Sequence, residues 1–192
     1  MSDDERLSAF LDASVLYPAL LRNILIRLAI DDLYRAFWSQ RVHDEWTNAL
    51  LRDRPHLLRA SIERTRRLVE ESIDDAMVRG YEPLIETLKL PDADDRHVLA
   101  AAIHGGVQLI VTANLRDFPK ATLARHDIEA QHPDAFILRL FTGGQDEVLG
   151  TIRRLRNGLR RPPMTAAELL AAMTRQGLSA SAEALGHFAD AL

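Results

Sequence analysis

The chain has 192 residues, 47% of them apolar, with 9 Gly, 8 Pro and no cysteine. That composition supports a buried core, excludes a low-complexity chain, disulfides and cysteine-based zinc sites, and fits a reducing cytosol. A formal net charge of −4 does not by itself mark a nucleic-acid binder. The start, MSDDERLSAF, is acidic and lacks the apolar segment of a signal peptide. The longest apolar run, NILIRLAI, is interrupted by Arg27 and is too short to cross a bilayer. The expectation is a cytoplasmic protein without membrane contact.

In chain order, AFLDASVLYPALLRNILIRLAIDDLY predicts a short strand at Phe10 and Leu11, then Asp12, then a helix. RAFWSQRVHDEWTNALLRD predicts a second strand and a helix from about Arg41. ASIERTRRLVEESIDDAMVRG reads as a charged helix that Gly80 stops, and YEPLIETLKLP as a loop with a brief strand. PDADDRHVLAAAIHGGVQLIV predicts a helix ended by Gly105 and Gly106, then a strand at Leu109, Ile110 and Val111. IEAQ, at residues 128–131, is a further strand. Short, continuously apolar strands alternating with helices predict a parallel sheet with helices on both faces, a Rossmann-like α/β arrangement.

Beyond His132 and Pro133 the pattern turns all-helical, with helices over about 134–141, 145–160, 166–176 and 181–191. Thr165 and Glu168 have capping-box spacing at the third of these. Two domains are expected: an α/β domain over 1–138 and an all-α C-terminal extension over 139–192. Arginines cluster at Arg52, Arg54, Arg59, Arg64, Arg66 and Arg67, and again at Arg153, Arg154, Arg156, Arg160 and Arg161. They suit phosphate, and suit a solvated helix face as well.

The acidic residues are not equivalent. In the helix after Pro91 the apolar stripe is Val98, Leu99, Ala102 and Ile103. At about 100° per residue Asp95 lies near its centre and Asp94 roughly 110° away, while Asp92 precedes the helix. An N-cap or a partner for the helix dipole is the plain role for any of the three. The helix bearing His43-Asp44-Glu45-Trp46 has Val42, Trp46, Ala49 and Leu50 on its stripe. Glu45 borders that stripe, and Asp44 sits on the far side.

Asp12 follows the first strand directly, and Thr112, Asn114 and Asp117 follow the strand at 109–111. In open parallel sheets, ligands bind beyond the carboxyl ends of the strands. Carboxylates gathered at one edge repel one another and must share protons or a cation. Oxygen ligands without cysteine favour Mg²⁺, with Mn²⁺ as a substitute.

LDASVL, HDEW and DADDRHVLAAAIHGGVQLIVTANLRDF, in this order, resemble the motifs of the PIN-domain family of metal-dependent ribonucleases. The resemblance runs from about residue 9 to 138. It implies a PIN-like fold in which Asp12, Glu45 and Asp95 take the family's three acidic places. Asp95 lies seven residues before Ala102, as the family's third Asp lies before its helix alanine. Many relatives carry Asp where this chain has Asn114, so either Asn114 or Asp117 completes the metal shell. Ser14 and Thr112 match hydroxyl positions beside it.

The implied activity is Mg²⁺-dependent endoribonuclease cleavage of RNA by water activated on the metal. Bacterial members are most often VapC-type toxins of toxin–antitoxin pairs, which implies an RNA substrate, a small antitoxin partner and a homodimer. The C-terminal tail is similar to a helical extension in one subgroup. A catalytically silent PIN-like module binding RNA or protein is the alternative that Asn114 raises, and a nuclease acting on DNA flaps is a third. The seven histidines, His97 and His104 among them, show no ligand spacing and are read as structural or surface residues; Trp38 and Trp46 are read as core. No GxSxG, Gly-rich phosphate loop or Rossmann fingerprint is present.

Overall fold

A computed structural model describes residues 6–160 and 162–192. Arg161 of the second arginine cluster and the first five residues of the acidic start lie outside the described residues. The elements in chain order are β1 (Ser8–Leu11), α1 (Ala13–Leu16), α2 (Ala19–Ile30), β2 (Arg35–Ser39), α3 (Gln40–Asp53), α4 (Arg59–Glu70), β3 (Met77–Val78) and α5 (Glu82–Ile85). They continue with α6 (Arg96–His104), β4 (Leu109–Val111), a 3₁₀ turn at Leu115–Asp117, α7 (Lys120–Leu123), a 3₁₀ turn at Ala124–His126 and β5 (Glu129–Gln131). Helices α8 (Pro133–Gly143), α9 (Gln145–Gly158), α10 (Ala166–Arg175) and α11 (Ser179–Gly186) follow, with a last 3₁₀ turn at Ala189–Ala191.

The chain folds as two compact units. One is the chain up to Tyr17 together with Tyr34–His132, and the other is Pro18–Leu33 with Pro133–Leu192. The first holds a five-stranded sheet in the order β3-β2-β1-β4-β5, and every pairing in it is parallel. All four residues of β1 and all three of β4 are buried, as strands covered on both faces must be. The expected α/β class is therefore the observed one. From β1 the chain steps outward to β2 and β3, then returns to the other side of β1 for β4 and β5. The order reverses between β1 and β4, which is the switch point where such sheets open a crevice at their carboxyl ends.

The third strand departs from the sequence expectation. The helix predicted to run up to Gly80 stops at Glu70, where the Ser72 hydroxyl donates to the Val69 carbonyl. Asp75 takes a left-handed φ of 59° and redirects the chain. The apolar pair Met77–Val78 then aligns with Trp38 and Ser39 of β2. Gly80, at φ 79°, thus closes a strand rather than a helix. YEPLIETLKLP carries no strand but a helical turn, α5, which Pro83 opens at a position where no N–H is needed.

Two packing features position the site. Ala100, Ala101 and Ala102 of α6 are fully buried, and α6 packs on β1, β2 and β4. Their short side chains let the helix axis approach the sheet. The helix ends as expected: Val107 N–H reaches the Ala102 carbonyl, Gly106 N–H the Ile103 carbonyl, and Gly106 takes φ 61°. At Gly105 an added Cβ would meet Val78 Cγ2 at 3.1 Å and the Ala101 carbonyl oxygen at 3.2 Å, so a side chain there would crowd the close approach of α6 and β3. On α3, the Ser39 hydroxyl accepts the Val42 N–H as N-cap, and Trp38 and Trp46 are core, as read from sequence. Buried His43 accepts the Trp46 indole N–H at Nδ1 (3.0 Å).

The second unit is all helical. The Thr165–Glu168 capping box forms at α10 as its spacing predicts. Asp134, in the first turn of α8, accepts the Ala180 and Ser181 N–H groups at 2.9 and 2.8 Å and so caps α11 from another helix. Asp31, just past α2, accepts hydrogen bonds from Thr151 (2.6 Å) and Arg154 (2.8 Å) of α9. No helix among the described residues is long and apolar enough to cross a membrane.

Candidate active site

The register of β1 and β4 builds the centre of the site. Leu11 pairs with Val111, so Asp12 and Thr112 leave the sheet side by side at its carboxyl edge. The Asp12 N–H still reaches the Val111 carbonyl (3.1 Å). Asp12 is buried, and three donors fix its carboxylate. Oδ1 accepts the Ala13 N–H (2.7 Å), while Oδ2 accepts the Ser14 hydroxyl (2.6 Å) and the Thr112 hydroxyl (2.8 Å). A carboxylate offers about four acceptor positions; the remaining one is on Oδ1.

The two hydroxyls are themselves held. Ser14 Oγ accepts the Ala113 N–H (3.0 Å), and Thr112 Oγ1 accepts the Asn114 N–H (3.0 Å). Ser14, Thr112 and Asp12 thus form one network binding β1 to the loop after β4.

Asp95 is the residue before α6, whose N-terminus meets the carboxyl edge because a crossover helix runs antiparallel to its strands. It occupies the N-cap position, but its side chain makes no capping hydrogen bond. Asp92 instead accepts the Asp94 N–H (2.8 Å), taking the local turn role. Burial, then the nearby charges of Asp12, Asp117 and Asp92, push the Asp95 pKa up to about 6, with His97 a smaller opposing influence. Asp12, Asp95 and Asp117, which come from separate elements, therefore share one electrostatic field. Asp117, half-buried in the 3₁₀ turn, acts within it; Asn114 is exposed, and its carbonyl accepts the Asp117 N–H (3.1 Å).

Glu45 is held separately, on the second turn of α3. Its Oε1 accepts from Arg41 Nε at 3.2 Å and from His97 Nε2 at 2.9 Å. From the sequence, Arg41 is only the approximate start of this helix and His97 is read as a structural or surface residue. Arg41 was accessible through its i,i+4 spacing to Glu45. His97 was not, since only packing of α6 against the sheet brings it to α3. Arg41 also donates to the Asp94 carbonyl (3.4 Å), a second link from α3 to the segment that leads into α6.

Among the described residues no three His, Asp or Glu side chains already converge into a metal cage. The donor chemistry nevertheless fits a hard divalent cation. The acids offer oxygen only, and Asp95, pushed up first by burial, also feels the like charges of Asp12, Asp117 and Asp92. Of the arginine clusters, Arg52, Arg54, Arg59, Arg64 and Arg67 are exposed. Arg66 is engaged with Asp44 (2.6 Å) and Glu70 (2.8 Å).

A parallel sheet with Asp12, Asp95 and Asp117 gathered at its switch point defines the class as an α/β domain with an acidic carboxyl edge. The comparisons with known proteins are more specific. A PIN-domain model matches residues 8–116, more than half of the chain, and a model described as the VapC50 C-terminal domain matches residues 133–187. The chain belongs to the PIN-domain family. It is similar to "Putative ribonuclease VapC50" of Mycobacterium tuberculosis (strain ATCC 25618 / H37Rv), with 36% identity over 101 residues. That match covers 53% of this chain and 59% of the relative's length. No solved structure matches the chain significantly.

Proposed function

We propose that the protein is a divalent-metal-dependent endoribonuclease and the toxin of a toxin–antitoxin pair, with Asp12, Glu45, Asp95 and Asp117 as its acidic centre. One observation carries this reading. At the switch point the Asp95 carboxylate is half-buried, and the charges of Asp12 and Asp117, from the ends of β1 and β4, bear on it against a smaller opposing influence of His97. Leaving such charge unbalanced destabilises a fold unless something else uses it. Mg²⁺, or Mn²⁺ in its place, is the ion of this reading, with Asn114 available beside Asp117. When bound, such an ion neutralises phosphate charge and makes water a better nucleophile at neutral pH.

The chain's own residues supply orientation and exclusion. Ser14 and Thr112 lock the Asp12 carboxylate so that one lone pair of Oδ1 stays open. Exposed arginines of α4 and of the turn before it, Arg54, Arg59, Arg64 and Arg67, hold the RNA backbone and provide affinity rather than sequence choice. Catalysis belongs to the α/β part, 1–138 in the sequence division, and the helices of 139–192 form an extension. The resemblance to VapC-type proteins supports a small antitoxin partner, a homodimer and a cytoplasmic setting.

Cleavage of single-stranded RNA with Mg²⁺ or Mn²⁺, lost in Asp95→Asn, is the expected result. An Asp95→Asn variant that cleaves as well as its parent sinks the proposal. The second reading, a silent PIN-like module, draws on Asn114 and on the absence of a preassembled acidic triad among the described residues. It expects no Mn²⁺-dependent rise in melting temperature. The first reading expects one that disappears in Asp12→Ala. Matched RNA and DNA substrates separate ribonuclease from flap-nuclease activity.

A further inference from the structure

We infer that His97 is a positioning residue for Glu45: its Nε2–H fixes one oxygen of the glutamate so that the other faces the metal centre. The inference rests on the metal reading above and adds a residue outside the acidic set. His97 is 1% exposed, and its Nε2 lies 2.9 Å from Glu45 Oε1, while Arg41 Nε approaches the same oxygen at 3.2 Å. Oε2 has no hydrogen-bond partner among the described residues. Two donors on one oxygen and none on the other make a carboxylate with a set orientation and a free end. A floppy glutamate on an exposed helix face lacks both properties.

The other ring nitrogen makes the assignment directional. His97 Nδ1 is buried and has no hydrogen-bond partner among the described residues. A buried N–H without an acceptor is costly, whereas a bare imidazole nitrogen loses only an accepted bond. The neutral tautomer with its proton on Nε2 satisfies the contact with Glu45 and leaves no orphaned donor. The ring therefore acts as a fixed donor aimed at Oε1. Residues that orient metal-binding side chains in this way are worth about 10- to 100-fold in metal affinity. The backbone arrangement agrees, because His97 sits two residues after Asp95 in the first turn of α6. One helical turn thus carries both an acid of the centre and the group that orients an acid from α3.

The test compares His97→Leu with His97→Gln in the full chain, measuring Mn²⁺ binding by calorimetry and metal-free stability by urea unfolding. A glutamine amide can place an N–H near the position of Nε2, and leucine cannot. The expected result is a loss of about 10- to 100-fold in Mn²⁺ affinity for His97→Leu, with recovery of most of it in His97→Gln. A merely structural histidine predicts that affinity follows urea stability and that glutamine gives no selective rescue; that outcome overturns the inference, as does unchanged affinity in His97→Leu. If neither variant folds, the parent decides the matter: ¹⁵N–¹H correlation spectra should show His97 protonated at Nε2 alone, and a proton at Nδ1 overturns the assignment. Binding of Mn²⁺ by the parent with no dependence on His97 overturns this inference alone. Absence of Mn²⁺ binding by the parent overturns the metal reading and this inference together.

Discussion

Asp31 and Asp95 sit at opposite ends of helices, one in each unit, and the helix dipole predicts the reverse of what their surroundings do. Asp31 follows the C-terminus of α2, the unfavourable end for an anion, yet its pKa is lowered. Burial pushes it up, but hydrogen bonds from Thr151 and Arg154, with the charges of Arg154 and Arg27, outweigh that. Asp95 precedes α6, at the favourable end, yet burial and neighbouring acids raise it to about 6. Dipole effects are about 0.3–1 kcal/mol, whereas a hydrogen bond to a charged group is worth about 1.5–3 kcal/mol. Hydrogen-bond partners decide the first case, and burial followed by like charges decides the second. The helical unit uses its acid to join α2 and α9, and the α/β unit keeps an acid that nothing in its own fold requires.

The comparison breaks first on activity, where the largest effect is expected. Asp95→Asn should lower RNA cleavage by at least about 100-fold, the upper end for losing a group around a metal. Asp31→Ala should leave cleavage per folded molecule unchanged. Equal losses in the two variants would mean that the carboxylate at Asp95 acts through stability alone.

The next effect is on folding. Asp31→Ala removes the acceptor for the buried Thr151 hydroxyl and for Arg154, and should cost about 2 kcal/mol at pH 7, read as a lower urea midpoint. Arg154 is more than half exposed, so most of that comes from Thr151 rather than from the ion pair. Because the folded pKa is depressed, the stabilisation is complete above the unfolded value of about 3.9 and is lost as pH falls through the folded one. The gap between parent and Asp31→Ala should narrow as pH falls below about 4. A gap independent of pH would show that packing, not charge, is what the substitution removes.

Such contrasts were only partly legible in the sequence. Short apolar strands between amphipathic helices carry their class in their periodicity, so the parallel sheet, the Gly105-Gly106 stop and the capping box at Thr165 could be read directly. Strand β3 could not: its two residues follow a long charged helix, and only pairing with Trp38 and Ser39 makes them a strand. The grouping of α2 with the C-terminal helices was equally hidden, since an apolar stripe does not name the surface it packs on. At the site, strand ends carry Asp12 and Thr112 to one edge by topology alone. The contact of His97 with Glu45 depends on how α6 and α3 approach each other, which no spacing within either helix encodes.

The smallest effect has the opposite sign and isolates the claim about Asp95. In the metal-free protein its carboxylate loses its proton only near pH 6, against about 3.9 in the unfolded chain. The folded state therefore holds more protons between those values, and stability falls as pH rises from about 4 to about 6. Asp95→Asn removes the repulsion without removing a capping bond, because the side chain makes none. Between about 3.9 and about 6 the difference corresponds to about 2.7 kcal/mol; for a half-buried group, solvent screening reduces this to about 1 kcal/mol. Metal-free Asp95→Asn should therefore melt higher than the parent at pH 7.5 and equal to it below pH 4. Adding Mn²⁺ should reverse the order at pH 7.5, because an ion that stabilises the native parent finds a weaker site in the variant. A variant less stable than its parent without metal would show that Asp95 serves the fold, and the distinction between the two aspartates would collapse.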